Sequence, residues 1–72
     1  MYGYIYITTN NINGKIYIGQ HISENFDEKY KGSGVILQKA IKKYGFNSFT
    51  TEILHECGSI DEMNYWEQEY IR

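Results

Sequence analysis

Apolar and polar positions alternate in two stretches near the start of the chain. Tyr2, Tyr4 and Tyr6 stand two apart with Ile5 and Ile7 in the other phase, and residues 15 to 19 read Lys-Ile-Tyr-Ile-Gly. A two-residue period predicts strands over Tyr2 to Thr8 and Lys15 to Gly19. Between them lies Thr9-Asn10-Asn11-Ile12-Asn13-Gly14, ending in an Asn-Gly pair that tolerates positive φ, so the two strands should form an antiparallel hairpin. From Val35 to Tyr44 the period changes. Leu37, Ala40, Ile41 and Tyr44 recur at helical spacing, with Ser33 as the expected N-cap and Gly45 just past the end. Alternation returns from Phe49 to His55 as a third strand. Ser59 and Glu62 then form a capping box ahead of a last helix whose apolar stripe runs Ile60, Met63, Trp66, Tyr70 and Ile71. The element order is β-β-α-β-α, an α/β chain of the α+β kind, with residues 1–72 forming one domain.

Size limits what this pattern can build. Seventy-two residues, 42% of them apolar, leave room for one small core. Tyr is over-used, with 8 copies, and Pro is absent, so nothing marks a linker. Cys57 is the single cysteine, which excludes an intrachain disulfide and fits a reducing, intracellular setting. No apolar run approaches the ~20 residues of a membrane span, and the opening residues lack the make-up of a signal peptide. A soluble protein with no membrane partner is expected.

A formal net charge of −2 argues by itself against a nucleic-acid partner, but the charges fall into blocks. Lys29, Lys31, Lys39, Lys42 and Lys43 occur in a segment without acids. Beyond Phe46, Glu52, Glu56, Asp61, Glu62, Glu67 and Glu69 face Arg72 alone. Two solvated surfaces of opposite sign are the plainer account of these blocks, with a binding surface as the alternative.

Two features point to chemistry. Because the side-chain period of a strand is two, Tyr6 and Tyr17 share a sheet face whether they pair directly or slip by two residues. Ile5, Ile7, Ile16 and Ile18 then form core on the other face. A partly wet tyrosine face could offer hydroxyls to a phosphate, although half-buried tyrosines are also ordinary in strands. The second feature is Glu67, four residues after Met63 and four before Ile71, in the apolar stripe of the last helix. A carboxylate there must meet a partner, bind a cation, face a cleft or reach water at the stripe's edge. His21 could orient a phosphate from its loop. His55 and Cys57, even with His21, fall short of a four-ligand structural metal site.

Tyr4-Ile5-Tyr6, followed after ten residues by Tyr17-Ile18-Gly19, resembles the paired motif that names the GIY-YIG nuclease family. The resemblance covers nearly the whole chain. It extends over the Asn13-Gly14-Lys15 turn and the stretch Lys29-Tyr30-Lys31-Gly32-Ser33-Gly34 common in phage and intron-encoded members. It continues through Lys43-Tyr44-Gly45, the Phe49 strand and the helix with Glu67. It implies a three-stranded antiparallel sheet flanked by helices and an intracellular, metal-dependent endonuclease that hydrolyses DNA, of the homing or repair kind and phage-encoded in a bacterial host. By the same resemblance Tyr17 would take the proton of the attacking water and Tyr6 would hydrogen-bond the scissile phosphate or its waters. Glu67 would hold one Mg²⁺ or Mn²⁺ that bridges the phosphate and the leaving 3′ oxygen. Gly19 would let the backbone approach the phosphate, and Lys29, Lys31, Lys39, Lys42 and Lys43 would meet the DNA backbone.

Three departures qualify the resemblance. Tyr4 stands where the family usually has glycine, with Gly3 one place early. The arginine that usually follows the second half-motif is missing, so Lys29 or Lys31, with His21 as a further candidate, must supply its charge, and an ammonium lacks the bidentate guanidinium fork. The chain ends five residues after Glu67, where members often carry a later asparagine, so a bare module that needs a separate targeting region or partner is expected. The competing expectation is a catalytically weak or inactive module kept for DNA or protein binding.

Overall fold

The computed structural model describes residues 1–71, so Arg72 lies outside the described residues. Strand β1 (Gly3–Asn10) is followed by β2 (Ile16–Ile22), helix α1 (Val35–Tyr44), one 3₁₀ turn over Phe46–Ser48, strand β3 (Phe49–Cys57) and helix α2 (Ile60–Ile71). The sheet is antiparallel throughout in the order β2-β1-β3, so β1 is its centre. The order β-β-α-β-α and the α+β class match the sequence pattern. Among the described residues no helix is long and apolar enough to cross a membrane.

Each element ends where its local chemistry stops it. The hairpin loop is built by asparagine side chains: Asn10 Oδ1 accepts the Ile12 N–H and Asn13 Oδ1 accepts the Lys15 N–H, both at 2.9 Å. Gly14 takes φ +78°, the conformation for which its missing Cβ suits it. At the start of α1 the sequence expectation needs correcting. The N-cap is Gly34, whose carbonyl accepts the Gln38 N–H at 2.9 Å, and no side chain caps the helix. Ser33 stands one residue too early for its hydroxyl to reach the first-turn amides. The other end is as expected, with Gly45 at φ +93° donating its N–H to the Ile41 carbonyl at 2.8 Å. Ser59 does cap α2, its hydroxyl accepting the Glu62 N–H at 3.2 Å.

The two sheet faces are covered by different means. On one, α2 packs Met63 against Ile5 and Cys57, with Ile18, Leu54, Trp66 and Tyr70 around them. Leu54 is the extra residue of a bulge, since Ile5 pairs with His55 but Tyr6 with Ile53, and its carbonyl accepts the Tyr70 hydroxyl at 3.2 Å. The inward stripe of α2 is narrower than expected: Met63, Trp66, Glu67 and Tyr70 turn inward, while Ile60 and Ile71 are exposed. The expected isoleucine core holds only in part. Ile5 is fully buried, Ile7 and Ile18 are half-buried, and Ile16 is 55% exposed at the turn end of β2.

The tyrosine face is the larger correction. Along β1 it is dry, with Tyr4, Tyr6, Thr8 and Asn10 all buried, and only its margins stay partly wet, with Tyr17 half-buried and Tyr2 exposed. Residues 23 to 34 cross it as a strap. The Asp27 N–H donates to the Tyr4 hydroxyl at 3.3 Å, and Thr8 Oγ1 donates to the Lys31 carbonyl at 2.5 Å. Lys31 Nζ donates to the Phe49 carbonyl at 3.0 Å. Thr8 also shares a 2.8 Å hydroxyl bond with Thr51 on β3. The strap thus supplies partners for Tyr4 and Thr8, which helps permit their burial, whereas Asn10 is held by the hairpin loop and leaves its buried Nδ2 unpaired.

Met63 shows how little core carries the fold. It is fully buried, and a Cβ at Gly3 would stand 2.6 Å from its sulfur. Met63→Ala should cost about 2–5 kcal/mol, a large share of the stability of so small a chain. Urea denaturation of both proteins measures it, and a loss under about 1 kcal/mol would count against this core assignment.

Candidate active site

Cross-strand pairing brings the two tyrosines to one place. Tyr6 pairs with Gly19 and Thr8 with Tyr17, the two-residue slip that keeps both phenols on the same face. Tyr6, Tyr17, Ile18 and the start of α1 (Gly34, Val35, Ile36 and Leu37) line a cleft of about 470 Å³.

Glycines make room for the Tyr6 ring. A Cβ on Gly19 would stand 2.7 Å from Tyr6 Cζ, and one on Gly32 would stand 2.8 Å from its hydroxyl. No other residue fits at either position without moving the ring. The hydroxyl lies close enough to the Tyr30 side chain and the Ser33 backbone N–H for both to affect its ionisation. The Tyr30 ring meets the Tyr6 ring edge-on at 5.7 Å, and His21 stacks on Tyr30 at 3.7 Å between centroids. His21 also meets Tyr4 edge-on at 5.6 Å. Tyr6, Tyr30 and His21 therefore form one contiguous group.

Burial, the neighbouring Tyr30 and the negative charge of Glu67 push the Tyr6 phenol up to about 12, against a weaker pull from the Ser33 N–H. Tyr6 is accordingly a neutral hydroxyl at any physiological pH. A phenol ionising at 10 in the unfolded chain and about 12 in the folded one supports folding fully below pH 10, and that support is lost as pH rises from 10 through 12. Tyr4, raised by burial, acts in the same direction. Thermal melts should therefore drop across that window, and Tyr6→Phe should flatten the drop. A wild-type melting temperature unchanged from pH 9 to 12 would contradict this.

Glu67 belongs to the helix that covers the other face of the sheet. It is half-buried on α2 and lines a separate concavity of about 430 Å³ with Gln68, Glu69 and Ile71, yet its charge is felt at Tyr6. No cluster of three or more His, Cys, Asp or Glu suited to a metal occurs among the described residues. His55 instead stacks on Trp66 at 4.3 Å, and Cys57 is buried in the core. A single carboxylate suits Mg²⁺, which keeps several waters and shares its ligation with substrate phosphates.

The lysines are placed less centrally. Lys31 turns its ammonium away from the cleft, onto the Phe49 carbonyl and 4.9 Å above the Phe46 ring, on the β3 side of the sheet. Lys29 is exposed on the strap, its N–H bonded to Asp27 Oδ1 at 3.1 Å. Lys39, Lys42 and Lys43 are exposed on α1, Lys43 lying 5.3 Å from the Tyr44 ring. Of the three groups named as stand-ins for the missing arginine, His21 is the one the fold joins to Tyr6, through Tyr30. The sequence marks Tyr30 only as part of the stretch from Lys29 to Gly34. Its signal is an aromatic flanked by lysines in an otherwise polar loop, which says nothing of what the ring will touch.

No family model matches the chain, and no solved structure matches it. Curated proteins do. The chain is 48% identical over 71 residues to "Putative endonuclease segE" of Enterobacteria phage T4, covering 99% of the chain and 35% of that protein. It is 52% identical over 59 residues to "Putative endonuclease segD" and 45% identical over 53 residues to "Endonuclease segA", both of the same phage. These matches cover 82% and 74% of the chain but only 26% and 24% of the relatives. Across nearly its whole length, then, the chain is homologous to about a third or less of several phage T4 proteins that bear endonuclease names.

Proposed function

We propose that the chain is a GIY-YIG nuclease module that hydrolyses DNA phosphodiester bonds with one Mg²⁺ or Mn²⁺. The carrying observation is the shared cleft of Tyr6 and Tyr17, with the charge of Glu67 felt at Tyr6. The endonuclease names of the relatives support the same reading. In this reading Tyr17 accepts the proton of the attacking water. Tyr6, held neutral, donates a hydrogen bond to a phosphate oxygen, and Tyr30 fixes the direction of that hydroxyl. Glu67 holds the cation. When bound, the cation neutralises charge on the phosphate and on the leaving oxygen. Plasmid nicking with Mg²⁺, and its loss on adding EDTA, tests the proposal. Nicking that survives EDTA would remove the metal from it.

One observation favours a weaker enzyme. The residues lining the cleft include no base stronger than a phenol and no cation, because Lys31 is held at Phe49. A module that binds DNA but turns over slowly, or not at all, follows if nothing replaces the arginine's charge.

DNA affinity should be low in either case. With Lys31 engaged internally, Lys29, Lys39, Lys42 and Lys43 remain of the five lysines expected at the DNA, and if all four met phosphates the slope of log affinity against log salt would be about 3.6. The carboxylates of α2 and β3 oppose binding further. Anisotropy titrations at several salt concentrations should give a dissociation constant of roughly 10⁻⁴ M or weaker at physiological salt, without base preference. The relatives are several times longer, so we place target selection outside this segment. Nanomolar, sequence-selective binding by the chain would overturn that placement.

A further inference from the structure

Val35 and Ile36 are the most exposed large apolar residues of the chain, at 70% and 75%. They occupy the first turn of α1, where polar or acidic residues are the rule. The burial of the helix does not depend on them, since Leu37 is its buried residue, with Ala40, Ile41 and Tyr44 half-buried on the same stripe. Both instead form a wall of the cleft whose other residues include Tyr6 and Tyr17.

Resting on the nuclease reading above, we infer that Val35 and Ile36 are the wall against which the deoxyribose beside the scissile phosphate packs, and that they make the site selective for deoxyribose over ribose. Three things favour a sugar as occupant. The wall is continuous with the phenols that would hold the phosphate, and the sugar is the group covalently next to that phosphate. The wall is two adjacent residues of one helical turn, an extent that suits a single sugar ring. Lys39, Lys42 and Lys43, exposed on the same helix, complement the polyanion that carries the sugar. A deoxyribose offers its C2′ methylene to the aliphatics. A ribose would press its 2′-hydroxyl against them and lose that group's hydrogen bonds to water.

The test uses the 72-residue chain and duplexes in which one ribonucleotide is placed on either side of the cleavage position in turn. The wild type should cut at least one of these between about tenfold and a hundredfold more slowly than the all-DNA duplex, the range a hydrophobic wall achieves against an added hydroxyl. A 2′-fluoro substitution at the same place, which shares the ribose pucker but has no donor, should be cut nearly as fast as DNA. Val35→Thr and Ile36→Thr keep the branched shape and offer a hydroxyl, so they should narrow the discrimination. Equal cutting of ribose and deoxyribose overturns the inference alone, as does an equal loss on all duplexes in the variants or equal rejection of the fluoro sugar. Sedimentation that shows a dimer dissociated by either variant would assign the wall to a second copy instead. Absence of cleavage on the all-DNA duplex overturns the nuclease reading, and this inference with it.

Discussion

Glu67→Gln is expected to reduce Mg²⁺-supported nicking to background while leaving the fold intact. The carboxylate lies on the inward side of α2 among Met63, Trp66 and Tyr70, half-buried, and it has no lysine three or four residues away to pair with. Neutralising such a group removes a desolvation cost, so thermal stability should stay the same or rise slightly. Two readouts separate metal loss from general damage. Mn²⁺ titration followed by electron paramagnetic resonance should lose its binding isotherm in the variant. The Tyr6 phenol should also ionise at a lower pH, because the negative charge of Glu67 is one of the causes that raise it. Wild-type nicking by Glu67→Gln would show that this carboxylate is not the cation's ligand.

Tyr17→Phe should lower cleavage by about two to four orders of magnitude, the usual contribution of a positioned acid or base. The substitution removes one oxygen from a half-buried ring on an edge strand, so stability should change little. A phenol ionises near ~10 in water and serves as a base at neutral pH only where a cation lies close or its proton is relayed onward. Tyr2→Phe, outside the cleft and 39% exposed, is the control and should nick normally. Equal losses at positions 2 and 17 would mean that the hydroxyls act through packing.

The elements were legible because each is specified by neighbours in the chain. Alternation in Tyr2–Thr8 and Lys15–Gly19 announces the hairpin, although both strands run further than the alternation does, to Asn10 and Ile22, because cross-strand bonding continues past the regular pattern. Helix α1 spans the same residues its 3.6-residue period marks, and Ser59 caps α2 as the capping box predicts. The shared face of Tyr6 and Tyr17 was also legible, since any even slip in register preserves it. Glu67 stood out because a carboxylate on an apolar stripe demands a reason.

Local sequence therefore determined the element types, the parity of the sheet faces and the two phenols and carboxylate of the candidate site. Burial was decided elsewhere. Whether a tyrosine face is wet depends on what crosses it, and the path of residues 23 to 34 is set by long-range bonds from Thr8 to the Lys31 carbonyl and from Lys31 to Phe49. No period in a loop encodes those partners. The same path places Tyr30 between Tyr6 and His21 and carries the Lys31 ammonium away from the cleft, so one residue joined the site and another left it. Periodicity is a property of residues a few positions apart. The strap's contacts join residues 18 to 23 positions apart, and only the closing of the chain upon itself selects them.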